Sequence, residues 1–294
     1  MSGDVENQQT QEAQEKAPAL VEKGEVGELA RTVVAAVVIA LIIRALLFEP
    51  FNIPSSSMKP TLLVGDFLFV NKPAYGYSRF SFPFGAAPID GRIWDKEPQR
   101  GDVVVFKRPT DTNIDFIKRV VGLPGETVQV RRGRLYINGK MAPRELVGKK
   151  TIQEGSGQQV MTEYIETLPG GVMHSIYEES DYEFLDNTEV YTVPEGHYFM
   201  MGDNRDNSQD SRVMSVVGYV PYENLVGRAD FLFFSTNSYA TVFEIWKWPW
   251  TVRYRRLLMD IDPIRPPKDE EAVGAAESAK AGAASLKTGA GAEE

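Results

Sequence analysis

The chain of 294 residues contains no cysteine and only two histidines, His174 and His197. The absence of cysteine excludes disulfide bonds, thiolate zinc sites and a cysteine nucleophile. With two histidines, a multi-histidine metal site is not expected, and a Ser-His-Asp triad would have to use one of these two residues. Both are isolated from other candidate catalytic groups in the sequence, so we expect neither to be needed for catalysis. We expect no metal ion and no cofactor.

The middle of the chain also carries little net charge, because the net charge of −9 lies mostly at the two ends. Residues 1–28 and 266–294 together account for eight of the nine net negative charges, and both stretches lack aromatic residues. Such composition predicts disordered tails, which we place at 1–28, on the cytoplasmic side, and at 263–294. The part between them is near neutral and has no basic stripe, which argues against nucleic acid as a partner.

One long apolar run is present at 29–48, and twenty residues of α-helix can cross the hydrocarbon core of a bilayer. A cleaved signal sequence would be followed by a small-x-small pattern, and a buried core helix would carry a polar stripe. The sequence shows neither, so we predict a transmembrane helix over 29–48. Lys16, Lys23 and Arg31 precede its apolar centre and favour a cytoplasmic N-terminus, although Arg44 near its other end weakens this charge bias.

After the helix, the pattern changes to short runs rich in β-branched and aromatic residues, separated by Gly, Pro, Asn and Asp. No long amphipathic helix interrupts them, so the body is predicted to be all-β, with antiparallel sheets. We place this body at 49–140 and 193–262, with a more polar β-ribbon, rather than core, inserted at 141–192. The sequences at 131–134 and 138–139 are typical of hairpin turns. The predicted strands are Asp66–Asn71, Asp102–Lys107, Phe116–Val121, Thr127–Val130, Leu135–Ile137, Tyr198–Met201 and Asp230–Phe234.

Three polar segments carry candidate catalytic groups. The first, at 54–62, is Pro-Ser-Ser-Ser-Met-Lys-Pro-Thr-Leu, which taken alone is an ordinary turn. The second, at 115–126, puts Lys118 in an apolar strand just before a Gly-Leu-Pro-Gly turn, where a lysine usually faces solvent. The third, at 202–212, is Gly-Asp-Asn-Arg-Asp-Asn-Ser-Gln-Asp-Ser-Arg, and it lacks the glycine and glutamate that an EF-hand calcium loop needs.

In this order and behind an apolar helix, the three segments closely resemble the sequence boxes of type I signal peptidases, the Ser-Lys proteases of the bacterial export pathway. The resemblance covers about residues 29–256, and the segment 202–212 matches its box without a departure. It implies a membrane-bound serine endopeptidase that removes signal peptides from exported preproteins. The expected location is the bacterial inner (plasma) membrane, with a single span and the catalytic body on the outer, periplasmic side. The expected partners are preprotein signal peptides, membrane lipids and a nearby export translocase.

The resemblance also implies roles for side chains at matching positions. Ser57 corresponds to the nucleophile and Lys118 to the general base. Ser55 is placed to donate its hydroxyl to the oxyanion, and Ser208 to orient the lysine amine. The remaining matches, Asp210 and Arg212, correspond to a structural ion pair near the site.

Elementary chemistry is consistent with these roles. A serine hydroxyl is a weak nucleophile until a neighbouring base takes its proton, and a lysine is a base only when its amine is neutral. An ordinary lysine pKa near 10.4 leaves little neutral amine at pH 7. Burial among Phe116, Ile117 and Val105 is expected to lower that pKa, because a low dielectric disfavours the ammonium.

Signal peptides carry small residues one and three positions before the cleaved bond, and narrow apolar pockets would select them. The extended runs around Ile53 and Asp115 are expected to pair with the substrate backbone as added strands. The same side chains would serve equally well as plain core. The candidate substrate-binding residues are Phe51, Ile53, Met58, Leu62, Val105, Asp115, Phe116 and Ile117.

Residues 245–250 hold three of the four tryptophans, and four cationic or tyrosine side chains follow at 253–256. Tryptophan alternating with cations favours a surface that rests on lipid headgroups. An exposed strand pair that packs on the body is the alternative.

Two other kinds of protein remain open at this point. One is another Ser-Lys protease, of the pilin-processing or self-cleaving repressor type, but a repressor would need a DNA-binding domain where the acidic first tail stands. The other is a non-enzymatic, membrane-tethered β-domain, which predicts that Ser57→Ala leaves cellular function intact.

Overall fold

The first element of the chain is a long apolar helix. The computed structural model describes residues 23–82, 85, 87–154, 157–237 and 244–266, and helix α1 is Lys23–Leu46. Within it, Gly27–Leu46 has a mean hydropathy of 2.3 and is long enough to cross a membrane. The helix begins six residues before the start predicted for the membrane span at residue 29, and it ends two residues before the predicted end at residue 48. The rest of the predicted tails, 1–22 and 267–294, lies outside the described residues.

The body consists of antiparallel β-sheets and short helical turns, which confirms the all-β prediction. Its strands are β1 (Phe48–Asn52), β2 (Asp66–Asn71), β3 (Tyr77–Ser78), β4 (Arg92–Ile93), β5 (Val103–Arg108), β6 (Asp111–Gly122), β7 (Thr127–Arg131), β8 (Arg134–Ile137), β9 (Lys140–Met141), β10 (Arg144–Glu154), β11 (Gly157–Leu168), β12 (Val172–Glu178), β13 (Tyr191–Thr192), β14 (His197–Met201), β15 (Val220–Pro221), β16 (Leu225–Ser235) and β17 (Met259–Asp260). A one-turn helix, α2, spans Trp248–Thr251. All seven predicted strands coincide with or overlap observed ones.

The largest sheet carries the elements that build the site. Its strands are hydrogen-bonded in the order β1-β2-β16-β5-β6-β14-β15, and β17 pairs with β16. Successive side chains of a strand point to opposite faces of the sheet, and along β2 every second side chain is therefore buried. The two predicted hairpin turns link β7 to β8 and β8 to β9. Their central residues have positive φ, with Asn138 at 51° and Gly139 at 74° in the second turn, as a type I′ hairpin requires.

The inserted segment forms the three-stranded sheet β10-β11-β12, as the ribbon prediction requires. The expectation that it lies outside the core is wrong, because Met161, Leu168 and Ile176 are fully buried. One face of the ribbon therefore packs against other parts of the body. The backbone N–H of Tyr177 at the end of β12 also donates to the carbonyl of Asp203 at 2.8 Å. The insert thus reaches the 202–212 segment directly.

The predicted second tail begins too early. The backbone of Ile264 makes two hydrogen bonds with Met173, at 2.9 and 3.0 Å. The guanidinium of Arg265 lies 2.5 Å from the carboxylate of Asp102. Residues 263–266 therefore lie on the body, where Ile264 joins the edge of β12 at Met173 as an isolated antiparallel bridge.

Candidate active site

The Ser57 hydroxyl lies in a turn that follows β1, and the 202–212 segment holds this turn in place. The backbone N–H of Asn204 donates to the carbonyl of Ser57 at 3.0 Å, and the Asn204 side-chain amide donates to the carbonyl of Ser56 at 3.1 Å. The Asn207 amide donates to Ser56 Oγ at 2.9 Å. Sequence reasoning assigned no role to either asparagine, although both lie in the best-matching box. Two asparagines thus position the backbone of the serine turn.

Lys118 lies on β6 and points at the serine. Its Nζ is 2.7 Å from Ser57 Oγ and donates to the carbonyl of Ile117 at 2.9 Å. The lysine is 3% exposed, and this burial lowers the pKa of its amine to about 8, although the carboxylates of Asp210 and Asp203 oppose the change. About a tenth of the amine is therefore neutral at pH 7, and its lone pair then faces the serine hydroxyl.

Arg119 takes the opposite direction from β6 because side chains alternate along a strand. Its guanidinium makes a bidentate contact with Asp203, at 2.8 and 2.6 Å, and donates to the carbonyl of Gly101 at 2.7 Å. Thr61 donates to the same carboxylate at 2.5 Å. Burial alone would raise the pKa of Asp203, but Arg119 keeps it well below its usual value. This buried pair, which sequence reasoning missed, joins the lysine strand, the serine turn and the 202–212 segment.

The ion pair expected between Asp210 and Arg212 is present, with two contacts of 2.9 Å, and both side chains are buried. Asp210 also accepts the backbone N–H of Gly202 at 3.0 Å. A Cβ at Gly202 would lie 2.2 Å from Ser208 Oγ and 2.6 Å from the Ser57 carbonyl oxygen. Only glycine lets the segment pass this close to the serine turn.

The two auxiliary serines differ in their placement. Ser55 Oγ lies 3.3 Å from Ser57 Oγ on the exposed side of the site, where a substrate carbonyl would arrive. Ser208 is 6% exposed and close to the site, where its hydroxyl lies beside the carboxylate of Asp210 and helps to keep the pKa of that acid below its usual value. The amine of Lys118 is bonded to Ser57 and Ile117 instead. The expected lysine-orienting contact of Ser208 is thus not made in this structure.

An open cleft of about 930 Å³ leads to Ser57 and Lys118. Six of the eight predicted substrate-binding residues line it, and Met58 and Leu62 do not. Those two side chains are fully buried in the core, because the turn after Ser57 directs them inward against residues such as Leu68. The six lining residues are Phe51, Ile53, Val105, Asp115, Phe116 and Ile117.

A second part of the cleft lining was not predicted from the sequence. It comes from residues 183–185 of the insert and residues 206–209 of the 202–212 segment. Phe184 is 93% exposed there, although it is one of the largest apolar side chains of this lining. This part of the lining is mostly polar, and Phe184 and Leu185 are its apolar side chains, which the sequence pattern of 141–192 did not reveal.

His174 is not isolated, contrary to expectation. It is buried, with Nε2 3.3 Å from a Glu166 oxygen and Nδ1 3.4 Å from an Asp203 oxygen. Glu166 in turn makes a bidentate contact with Arg205, one bond of which is 2.8 Å. His174 thus packs below the site against the partner of Arg119, and it makes no contact with Ser57. His197 bonds the carbonyl of Glu195 at 2.9 Å.

The tryptophan-rich segment forms short helical turns rather than a strand pair. Trp248 packs on Phe234 with ring centroids 5.1 Å apart, whereas Trp246 and Trp250 are 65% and 78% exposed. Arg256 anchors the end of the segment to Asp66 at 2.5 Å. Large apolar side chains are therefore displayed on a surface that is itself fixed to the body.

The sequence is similar to those of known proteins. Residues 26–234 match the family model described as "Signal peptidase, peptidase S26". A signal peptidase I from Rickettsia akari (strain Hartford) is 44% identical over 207 residues, which cover 68% of this chain and 76% of that protein. One from Rickettsia conorii has the same identity and coverage. A crystal structure of a signal peptidase I from Enterococcus faecalis V583 is 31% identical, with coverage of 45% of this chain and 97% of that chain and a TM-score of 0.26.

Proposed function

The chain belongs to the signal peptidase I family, and from this premise we propose that it removes signal peptides from exported preproteins, with Ser57 as nucleophile and Lys118 as general base. The observation that carries the proposal is the 2.7 Å contact between Lys118 Nζ and Ser57 Oγ in a buried setting. Burial keeps part of the amine neutral, and a neutral amine at this distance accepts the hydroxyl proton.

The proposed reaction has two halves. Neutral Lys118 takes the proton of Ser57 while Oγ attacks the carbonyl carbon before the cleaved bond. The resulting oxyanion accepts hydrogen bonds from the Ser57 backbone N–H and the Ser55 hydroxyl. The lysine ammonium then gives its proton to the leaving amine, and an acyl-enzyme remains. A water molecule, deprotonated by the same lysine, attacks the ester carbonyl. The bond to Ser57 Oγ then breaks, the lysine ammonium returns its proton to Oγ, and the signal peptide leaves with a free carboxylate.

Strand addition is the proposed mode of substrate binding. Along β6, residues near Asp115 pair with β5 on one side, whereas β14 pairs only with the later part of the strand, from Arg119 to Gly122. The backbone edge next to Asp115 and Phe116 is therefore available to an extended peptide. The apolar side chains of Phe51, Ile53 and Ile117 would then face the small residues before the cleaved bond.

We also propose that α1 anchors the protein in the bacterial inner membrane, with the body on the periplasmic side and near the translocase. The exposed Trp246 and Trp250 would rest at the lipid surface, where amphipathic indoles are favourable. This placement fits a substrate whose cleavage site emerges at the bilayer.

The test is cleavage of a model preprotein by the purified full-length chain in detergent. Ser57→Ala and Lys118→Ala should each lower the cleavage rate by at least about 1000-fold, while the circular-dichroism spectrum remains that of the folded β-protein. Lys140→Ala, an exposed lysine on β9, is the matched control and should cleave like the unaltered chain. Substantial cleavage by either site variant would overturn the Ser-Lys mechanism, and a non-enzymatic domain would show no cleavage even in the unaltered chain.

A further inference from the structure

Three carboxylates from separate segments meet beside the cleft. Glu178 ends β12, Asp186 follows in the same insert, and Asp206 lies in the 202–212 segment. Each offers one oxygen, and these oxygens lie within 4.8 Å of one another. Glu178 and Asp186 are 2% and 1% exposed. Among the described residues, this is the one such group of three that a metal ion could bridge.

The hydrogen bonding of the three acids is half complete. The second oxygen of Asp206 accepts the backbone N–H of Glu179 at 2.6 Å, and that of Asp186 accepts the N–H of Glu183 at 2.6 Å. One oxygen of Glu178 pairs with Arg144 at 3.1 Å. The other oxygen of each of the three acids is enclosed and has no hydrogen-bond partner among the described residues. Three buried acceptors without donors are costly, since each loses its hydration without replacement.

Charge does not balance locally either. Arg144 is the guanidinium in direct contact with this cluster, and it is shared with Asp181. The neighbouring Arg205 and Arg212 are already paired with Glu166 and Asp210. A buried excess of carboxylates is the arrangement that a cation relieves.

We propose that Glu178, Asp186 and Asp206 form a structural Ca²⁺ site that joins the insert to the catalytic segment. Ligands around Ca²⁺ lie about 2.3–2.6 Å from the ion, so two of them are separated by up to about 5 Å, in agreement with the observed spacing. The donors are oxygens alone, without histidine or cysteine, which selects a hard cation. Acids from three separate stretches of chain suit the flexible coordination of Ca²⁺ better than the strict octahedron of Mg²⁺.

Neither one water molecule nor one shared proton alone satisfies all three oxygens. A water molecule donates two hydrogen bonds, whereas three acceptors need donors. One proton shared by Glu178 with a neighbour satisfies two oxygens and leaves the third without a partner. A divalent cation contacts all three oxygens at once and also neutralises the charge. The site departs from the absence of metal expected from the sequence, and its role is structural rather than catalytic.

A bound Ca²⁺ would fix one wall of the cleft. Residues 183–185 lie just before Asp186, and they line the same cleft as Phe116 and Ile117. Asp206 already holds the backbone of Glu179 and Ser180. The ion would therefore add a third attachment of the wall-forming stretch to the segment that positions Ser57.

The test is thermal unfolding of the full-length chain in detergent, stripped with a chelator and then given CaCl₂ or MgCl₂ at 1 mM. Ca²⁺ should raise the unfolding midpoint by about 3 °C, which is the shift expected when the Kd of the site is about tenfold below the 1 mM applied. Mg²⁺ should raise the midpoint less. Asp206→Asn should remove the Ca²⁺ shift. Its amide oxygen can keep the bonds to Glu179 and Ser180, while its NH₂ fills the place of the cation. Asp186→Asn should behave alike and serves if the first variant does not fold.

Glu189→Gln is the matched control, because this exposed acid lies in the same insert and outside the cluster. It should keep the full shift. Calorimetric titration should show one Ca²⁺ per chain in the unaltered protein and none in Asp206→Asn. The proposal is overturned by a midpoint that Ca²⁺ does not change, by a shift that both asparagine variants retain, or by a response to Mg²⁺ alone. These readouts do not depend on cleavage activity.

Discussion

The pH dependence of cleavage follows from the burial of Lys118. An ordinary lysine has a pKa near 10.5, and burial lowers that of Lys118 to about 8. The difference corresponds to about 3 kcal/mol against the ammonium, and it raises the neutral fraction at pH 7 from about one in 3000 to about one in ten. We expect kcat to rise about tenfold per pH unit below pH 7 and to level off above about pH 8.5.

Phe116→Ser tests the cause of this shift. Phe116 precedes the lysine on the same face of β6, with its ring centroid 5.3 Å from Nζ. The ring attracts an ammonium by about 0.5–1 kcal/mol, but it also excludes water, and desolvation is the larger effect. Removing the ring should therefore admit water and move the midpoint upward by about one pH unit, with about a tenfold loss of kcat at pH 7.

The assay is cleavage of a model preprotein at saturating concentration in detergent, from pH 6 to 11. Saturation matters because Phe116 also lines the cleft, and a change in substrate binding must be kept apart from a change in the base. Phe116→Leu keeps the site apolar and is the control, with a midpoint close to that of the unaltered chain. A wild-type rate that keeps rising tenfold per unit through pH 10, or a serine variant with an equal or lower midpoint, would refute the reasoning.

Three further predictions concern stability and positioning. Lys118→Met should raise the free energy of unfolding at pH 7 by up to about 3 kcal/mol, because the buried ammonium is removed. This gain should shrink between pH 8 and 10.5, where the lysine of the unaltered folded chain is already neutral. A gain that does not depend on pH would contradict the prediction. Gly202→Ala should lower kcat more than about 100-fold with little change in KM, because its Cβ meets the Ser57 carbonyl; kinetics of the folded variant decide. His174→Ala should lower stability by about 2 kcal/mol in urea unfolding, whereas His197→Ala should leave both stability and cleavage unchanged.

The strands and the contact between Ser57 and Lys118 could be predicted because their signals are local. Asp66–Asn71 carries the alternation of a half-buried strand and is β2 to the residue. Ser57 and Lys118 each lie in a short segment with a recognisable pattern, and the structure brings them to 2.7 Å. Neither prediction required knowledge of which distant segments meet.

The remaining features depend on long-range contacts. Met58 and Leu62 were placed in the substrate pockets because they neighbour Ser57 in sequence, but the turn directs them into the core. His174 gave no sign in the sequence that Glu166 and Asp203 would enclose it. The direction of the Ser208 hydroxyl, away from the Lys118 amine, likewise could not be read from a motif that fixes residue types and not rotamers.

The position of β16 has a consequence for biosynthesis. This strand, Leu225–Ser235, lies between β2 and β5 in the sheet, with Ala229 opposite Val70 and Arg228 opposite Val104. A nascent chain that has exposed both Ser57 and Lys118 still lacks the strand that joins the two halves of their sheet. The polypeptide must be synthesised to residue 235, and about 120 residues beyond Lys118, before β2 and β5 gain their common neighbour. Until then the two halves of the sheet that carry Ser57 and Lys118 lack the strand that joins them, and we expect the 2.7 Å contact between these side chains to form only afterwards.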